Sequence, residues 1–279
     1  MNFLNLGCGR RFNEGWTNID FTSSSKFVLA HNLTQGIPNP DESFDVVYHS
    51  HVLEHFSQAQ AQAFLKECFR VLKPGGVIRV VIPDLEQIAQ NYLVSLEKAE
   101  KGILGESDNH HWMIVEMLDQ SVRNHSGGEM AAYLTQEHIP NQAFVLDRIG
   151  TEGKNLIEAG KQRHQQSTSA APNWLKPIYR FVRYPHYRRD AFLKLCLGQS
   201  DYEALKIGQF RLGGEIHQWM YDRYSLKRTL ENTGFIETTQ QTANQSRIAD
   251  WVSFNLDTEP DGSTYKPDSL FMEAIKPAP

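Results

Sequence analysis

The sequence predicts an α/β fold: a mostly parallel sheet of seven strands carrying a helical insertion. Three observations support this. Short apolar runs alternate with amphipathic stretches from Phe3 to Ile82, and strand-like runs return near the C-terminus. The first run, Phe3–Leu6, passes straight into Gly7-Cys8-Gly9, and the next ends on Asp20. Between residues 84 and 214 the pattern is helical, with no complete set of strands of its own.

Taken in order, the strand candidates are Phe3–Leu6, Thr17–Phe21, Phe27–Ala30, Phe44–Tyr48 and Gly76–Ile82, short and apolar as buried parallel strands are. Gln58–Leu72 reads as an amphipathic helix, with Ala61, Phe64, Leu65, Cys68, Phe69 and Leu72 at three- and four-residue spacing. Ser57 is a good N-cap for it, and Pro74-Gly75-Gly76 stops it. Leu85–Lys101, His111–Ser121 and Gln142–Ala159 read as helices, and Gln165–Pro172 as a loop by composition. The stretch Trp174–Leu197 is basic and aromatic. Asp222–Gly234 reads as a helix with a glycine stop, followed by strands over Phe235–Gln240 and Leu270–Ile275. The link between the first two strands is too short for a full helical crossover, so its helix is expected to be truncated.

Composition narrows the class. With 279 residues, 40% hydrophobic and 22% charged, the chain can bury a full core and resembles an ordinary globular protein. Three scattered cysteines suggest no disulfide framework, and neither a leader pattern nor a membrane-spanning run is evident, so a cytoplasmic location is expected. The net charge is −5, yet residues 161–194 hold eight Lys/Arg against one acid, Asp190. That segment carries +7 within an otherwise acidic chain.

The glycines and the acid point to a nucleotide-like cofactor. A glycine after a strand lets the backbone turn and come close to a ligand, and an acid ending the next strand can bind a ribose diol. The dinucleotide fingerprint does not fit, since its third glycine position is Phe12 and Asp20 comes too early. The run Leu4-Asn-Leu-Gly-Cys-Gly9 instead resembles motif I of the class I S-adenosylmethionine-dependent methyltransferases (the type 11-like domain). Ser43–Tyr48 followed by His49-Ser-His-Val-Leu-Glu-His55 resembles that family's fourth strand and the loop after it. Arg70–Ile82, with its Pro-Gly-Gly turn, resembles the helix end and fifth strand. The resemblance covers about residues 1–84 and 215–277. It implies a Rossmann-like, doubly wound sheet, S-adenosylmethionine as cofactor, and a final hairpin with one antiparallel strand. On this reading residues 1–83 are the cofactor-binding half of the methyltransferase domain, 84–214 a helical insertion or lid, and 215–279 the rest of that domain. The resemblance further implies that Gly7 and Gly9 lie under the methionine part of the cofactor. Asn5 stands where relatives often carry an acid, Asp20 is the ribose ligand, Asn32 and Leu33 border the adenine, and His49, Ser50 and His51 lie near the sulfonium.

Two clusters could carry catalysis. His51-Val-Leu-Glu-His55 also matches H-x-x-E-H, which on a helix would place two zinc ligands on one face with Glu54 as base. A zinc-dependent hydrolase is therefore the alternative enzyme class. The Gly-Cys-Gly turn and the buried strand before the motif favour the methyltransferase, for which no metal is expected. The second cluster is Gly214-Glu-Ile-His217-Gln-Trp-Met-Tyr221. It suits an acceptor pocket, with His217 as a neutral-pH base and Glu215 orienting its ring, or else a structural junction. His217, Glu215 and His51 are thus the candidate catalytic residues. The expected acceptor is a small-molecule or sugar hydroxyl, lipid- or phosphate-linked. No nucleic acid is expected: the loop Asn/Asp-Pro-Pro-aromatic of many base methylases is absent, and the basic segment is short. Residues 174–194 could touch an anionic membrane face. A non-catalytic cofactor-binding module is the third reading, and the sequence leaves the oligomeric state open.

Overall fold

The computed structural model describes the backbone of residues 1–167 and 175–278, and side-chain surroundings outside residues 163–178. The chain begins with β1 (Phe3–Leu6), β2 (Thr17–Asp20), β3 (Val28–Ala30), β4 (Phe44–Ser50), α1 (Gln58–Val71) and β5 (Leu72–Pro83). Among the described residues six helices follow: α2 (Leu85–Glu100), α3 (Glu106–Val122), α4 (Gly128–Leu134), α5 (Gln142–Ser167), α6 (Leu175–Arg183) and α7 (Pro185–Arg211). The chain closes with α8 (Arg223–Thr233), β6 (Ile236–Gln241) and β7 (Ser269–Ile275). One sheet of seven strands results, in the order β3-β2-β1-β4-β5-β7-β6. Strands β1 to β5 are parallel, and β7 is antiparallel to both β5 and β6. The expected mostly parallel seven-stranded sheet is present. Strand order reverses between β1 and β4, and such a switch point opens a crevice at the carboxyl ends of the strands.

Alternation along the strands sorts side chains onto two faces. Leu4, Leu6, Val47, Ile78, Val80 and Ile82 face one core, which Phe64 and Leu65 of α1 and Leu226 and Leu230 of α8 complete. Helix α1 is well specified: Ser57 and Gln60 form a reciprocal capping box. The other face carries Val46, Tyr48, Val81 and Phe271, covered by Trp16, Ile248, Trp251 and Leu256. Helices are not what covers it. No helix joins β1 to β2 or β2 to β3, and the long β6–β7 connection fills that space.

Arg79, in the middle of β5, fastens this connection. Its Nε donates to Asp257 Oδ2 at 2.7 Å and Nη1 to Glu273 Oε1 at 2.8 Å, while Gln245 O and Thr242 O take further bonds. Asp257 Oδ1 accepts from Tyr48 Oη at 2.6 Å, and Trp251 stacks on the guanidinium. Arg79 and Glu273 are fully buried. Buried charge is costly unless paired and hydrogen-bonded throughout, and here each charge meets an opposite one.

Helices α2 to α5 share their own core of Ile88, Trp112, Met113, Leu134, Val145 and Ile149. Helix α5 breaks at Gly150 (φ 58°, ψ −139°). A Cβ there would lie 2.4 Å from Tyr265 O, and Thr151 N donates to that same oxygen. The break lets the β6–β7 connection approach closely. Of the expected loop at 165–172, residues 165–167 belong to α5 and the remainder lies outside the described residues, as does Trp174. The basic aromatic stretch forms α6 and α7, where Tyr179, Phe181, Val182, Phe192 and Leu195 are exposed. Among the described residues, no helix is long and apolar enough to cross a membrane.

Candidate functional site

Two cavities open at the switch point, and both are lined by Gly7 and His51. Gly7 follows β1 and His51 follows β4. Gly7 has φ +64°, and a Cβ on it would sit 2.2 Å from Val52 Cγ2. Only glycine allows this close passage of one strand end over the other. His51 has φ +54°. Left-handed backbone on a non-glycine residue costs about 1–3 kcal/mol and collects at functional sites.

The first cavity, of about 610 Å³, is lined by Gly7, Asp20, His31, Asn32, Leu33, His51, Val52, His55 and Phe56. The far wall comes from Leu212, Gly213, Gly214, Glu215 and Gln218, at the join between α7 and α8. Asp20 Oδ2 accepts from Gly9 N at 2.9 Å and Oδ1 from Thr22 N at 3.2 Å. The acid at the end of β2 therefore pins the glycine loop after β1. A carboxylate offers about four lone-pair sites, so acceptor capacity remains for a diol. Asn32 caps a short 3-10 turn through its Oδ1 and leaves Leu33 on the wall. A cradle open at Gly7, an acid at the second strand end and a volume within the usual 300–1,000 Å³ range of ligand pockets suit a nucleoside-bearing cofactor.

The second cavity, of about 530 Å³, is lined by Asn5, Gly7, Cys8, Gly9, Arg10, Arg11, Tyr48, Ser50 and His51 on the sheet side. Thr151, Glu152, Asn155, Glu259, Tyr265 and Lys266 face them. Lys266 Nζ pairs with Glu152 Oε2 at 2.6 Å. Burial raises the Glu152 pKa, but Lys266 outweighs it and holds the carboxyl below its usual range. Burial depresses Lys266, and Glu152 in turn outweighs that, so its pKa is raised. Both groups stay charged, half-buried, at the cavity wall. None of these α5 and β6–β7 residues stands out in the sequence; the signal that could have found them is Gly150 inside an otherwise helical pattern.

The predicted site residues divide between the cavities and the core. Gly7, Asp20, Asn32, Leu33, His51 and Glu215 line the first cavity, and Asn5, Gly7, Gly9, Ser50 and His51 the second. Asn5 is buried and donates to Arg11 O and Asn18 Oδ1, fastening the loop between β1 and β2. His49 lines neither cavity. Alternation turns it to the same face as Val47, where it is fully buried against the Phe64 ring, and burial lowers its pKa to about 4. His217 is also buried and lines neither cavity. Its N–H donates to Gln120 O, its ring meets His55 edge-on, and burial lowers its pKa to about 3. Glu215 does not orient it: the Glu215 carboxylate accepts from Gly127 N at 2.9 Å and pairs with Arg123. Trp219 is partly exposed and Tyr221 buried.

Glu54 is the carboxylate near these imidazoles. It is fully buried, with His51 Nδ1 at 3.3 Å and His217 Nε2 at 4.0 Å from its Oε1. Burial pushes its carboxyl up, yet His51, His217 and His55 together hold it down at about 2. His51 Nε2 lies 2.9 Å from Ser269 Oγ. The H-x-x-E-H helix face does not form: residues 53–55 make a 3-10 turn, and His51 and His55 diverge toward Ser269 and the Ile216 carbonyl.

Residues 17–80 match the family model described as "Methyltransferase domain". A 57-residue stretch is 47% identical to a probable S-adenosylmethionine-dependent methyltransferase of Mycolicibacterium smegmatis, covering 20% of this chain and 21% of that protein. The chain thus spans about a fifth of the length of the curated relative it matches. Similar solved structures include a methyltransferase from Archaeoglobus fulgidus (12% identity, TM-score 0.36, 99% of this chain and 86% of that one). Another is the complex between the Haloferax volcanii Trm112 methyltransferase activator and a protein described as "the putative methyltransferase" (10% identity, TM-score 0.37, 99% and 82%). The strand order of the sheet, not these likenesses, defines the fold. The domain match, over residues 17–80, spans the two blocks after motif I and bears out the family resemblance, and that family's cofactor is S-adenosylmethionine.

Proposed function

We propose that this chain, which carries a methyltransferase domain of the S-adenosylmethionine-dependent kind, methylates a hydroxyl on a small molecule or glycan. The observation behind this reading is the pair of cavities that meet at Gly7 and His51. In the proposal, Asp20, Asn32 and Leu33 hold the nucleoside in the first cavity. Gly7, Gly9 and Asn5 carry the methionine part toward the second. The acceptor occupies the Thr151, Glu152, Asn155 and Lys266 end of the second cavity, where charged and polar groups match the hydroxyls of a sugar.

When bound, S-adenosylmethionine supplies an electrophilic methyl group on a sulfonium. The protein's first task is alignment, because methyl transfer is an in-line displacement. Glu152 and Lys266 orient the acceptor, and Ser50 borders its reacting end. His51 takes the proton. With Nδ1 facing the Glu54 carboxylate, Nε2 is the basic ring atom; it contacts Ser269 Oγ at 2.9 Å, and an acceptor hydroxyl would replace that contact. His51 Nε2 would take the hydroxyl proton as the acceptor oxygen gains the methyl group. Helices α2 to α7 act as the lid, reaching the first cavity through Leu212–Glu215. A cytoplasmic location fits this reading. The exposed aromatic and basic side chains of α6 and α7 fit contact with a lipid-linked acceptor at an anionic membrane face.

The test is transfer of a tritiated methyl group to a cell extract and to defined glycans, with His51→Gln as control. Label in a glycan or small metabolite, much reduced in His51→Gln at unchanged cofactor affinity, is the expected result. Label in purified RNA would overturn the acceptor class. Cofactor binding without transfer to any acceptor would favour the binding module.

A further inference from the structure

We propose that Glu54, His55 and His217 form a binding site for a divalent transition-metal ion of the zinc type, set in the wall of the cofactor cavity. One donor atom from each of the three lies within 4.8 Å of the others. The second observation is Glu54 itself. It is fully buried, and neither carboxylate oxygen has a hydrogen bond of normal geometry. A buried carboxylate in that state is costly, and a cation is the chemistry that relieves it.

The surroundings are already built to hold the donors in place. Glu54 O accepts from Gln218 N at 2.8 Å and from Trp219 N at 3.2 Å, which bolts the 53–55 turn to the stretch carrying His217. His217 N donates to Gln120 O at 2.9 Å. His55 Nδ1 faces the Ile216 carbonyl at 3.2 Å, the kind of outer contact that fixes the ring and tautomer of a metal-bound histidine. His55 also lines the first cavity, which gives an ion a path from solvent.

The donor set selects the metal. Two imidazoles and one carboxylate suit zinc and its transition-metal neighbours, whereas magnesium and calcium prefer all-oxygen cages. Tetrahedral bonds of about 2.0–2.1 Å place donors about 3.3 Å apart, so side chains would close in by up to about 1.5 Å. A carboxylate has about four lone-pair sites, so Glu54 can ligate an ion and keep its 3.3 Å contact with His51 Nδ1. This is a different constellation from H-x-x-E-H, in which Glu54 would be a base and His51 a ligand. It does not depend on the methyltransferase reading. An ion here would clamp the end of β4 to the segment entering α8.

The experiment uses untagged full-length protein. Metal content is measured after purification, then chelator-stripped protein is titrated with Zn²⁺, Co²⁺ and Mg²⁺, with thermal unfolding in parallel. One equivalent of Zn²⁺ should bind and raise Tm, Co²⁺ should develop a visible absorption band, and Mg²⁺ should do neither. His217→Ala and Glu54→Gln should each weaken Zn²⁺ binding by about 100-fold or more, beyond the range for outer-shell contacts. S-adenosylhomocysteine affinity in His217→Ala should stay within about twofold by calorimetry, which also shows that the variant is folded. Absence of Zn²⁺ binding to wild type, or equal affinity in wild type and His217→Ala, overturns the site. Zn²⁺ binding without any cofactor binding would leave the site standing and remove the methyltransferase reading.

Discussion

Replacing Asp20 tests the cofactor assignment most directly. In the free protein its carboxylate accepts from Gly9 N at 2.9 Å and Thr22 N at 3.2 Å, at the exposed rim of the first cavity. In Asp20→Ala those two N–H groups turn to water, so the fold should lose about 1 kcal/mol or less. The cofactor loses more. Hydrogen bonds to a charged group contribute about 1.5–3 kcal/mol each, and a ribose diol makes up to two of them. Part is offset when water solvates the freed hydroxyls, and part is added because the loop carrying Gly9 is no longer held. A net loss of about 2–4 kcal/mol follows, or roughly 30- to 1,000-fold in Kd. Asp20→Asn keeps one carbonyl acceptor without charge and should fall between, near 10-fold. Calorimetry with S-adenosylhomocysteine reads the affinities, and thermal unfolding checks the fold. Affinities within twofold of wild type in both variants, at unchanged Tm, would reduce Asp20 to a loop cap.

Three further outcomes are expected. Gly7→Ala must fit a Cβ 2.2 Å from Val52 Cγ2 at φ +64°; it should cost about 2–4 kcal/mol in stability and weaken cofactor binding, read by denaturant titration and calorimetry. Arg79→Met leaves the buried Asp257 and Glu273 carboxylates without their cation and should destabilise by about 3–5 kcal/mol; an unchanged unfolding midpoint would refute the staple. The pKa of His49 is lowered by burial to about 4, below its unfolded value of 6.5. The unfolded chain therefore takes up its proton first as pH falls, and stability declines between about pH 6.5 and pH 4, by up to about 3 kcal/mol from this residue. His49→Leu should flatten that part of the pH–stability curve, and a curve of unchanged slope would assign the decline to other groups.

What the sequence made legible follows from where local rules dominate. Strands β1 to β4 and helix α1 lie in a core where period and capping agree, and their bounds are close to expectation, whereas β5 starts four residues early at Leu72 and takes Pro74-Gly75-Gly76 into the strand. The β6–β7 connection was not legible, because its cover of the second sheet face depends on contacts far apart in the chain. One signal was present. Arg79 sits inside Val-Ile-Arg-Val-Val-Ile, and a lone charge in a buried strand requires partners, here Asp257 and Glu273. Helix α4 escaped notice because it is short and starts at Gly127-Gly128. The cavity residues Glu152 and Lys266 are separated by most of the C-terminal half, and only the break at Gly150 brings their segments together.

The histidines show how the same stretch can be read for its chemistry and still misplaced in geometry. The family resemblance places His49, Ser50 and His51 together near the sulfonium. Strand periodicity separates them: if Val47 faces the helix-covered core, His49 must follow it, and Ser50 must face the opposite side. The strand ends at Ser50, so His51 escapes the alternation, and its left-handed backbone is what lets one ring border both cavities. The same break keeps residues 51–55 from forming the helix that an i, i+4 histidine pair needs. His55 is carried instead toward His217, from the far end of the chain, with the Glu54 carboxylate beside both rings. The hydrolase motif is therefore undone by its own backbone, and the residues it leaves over assemble into a different cluster.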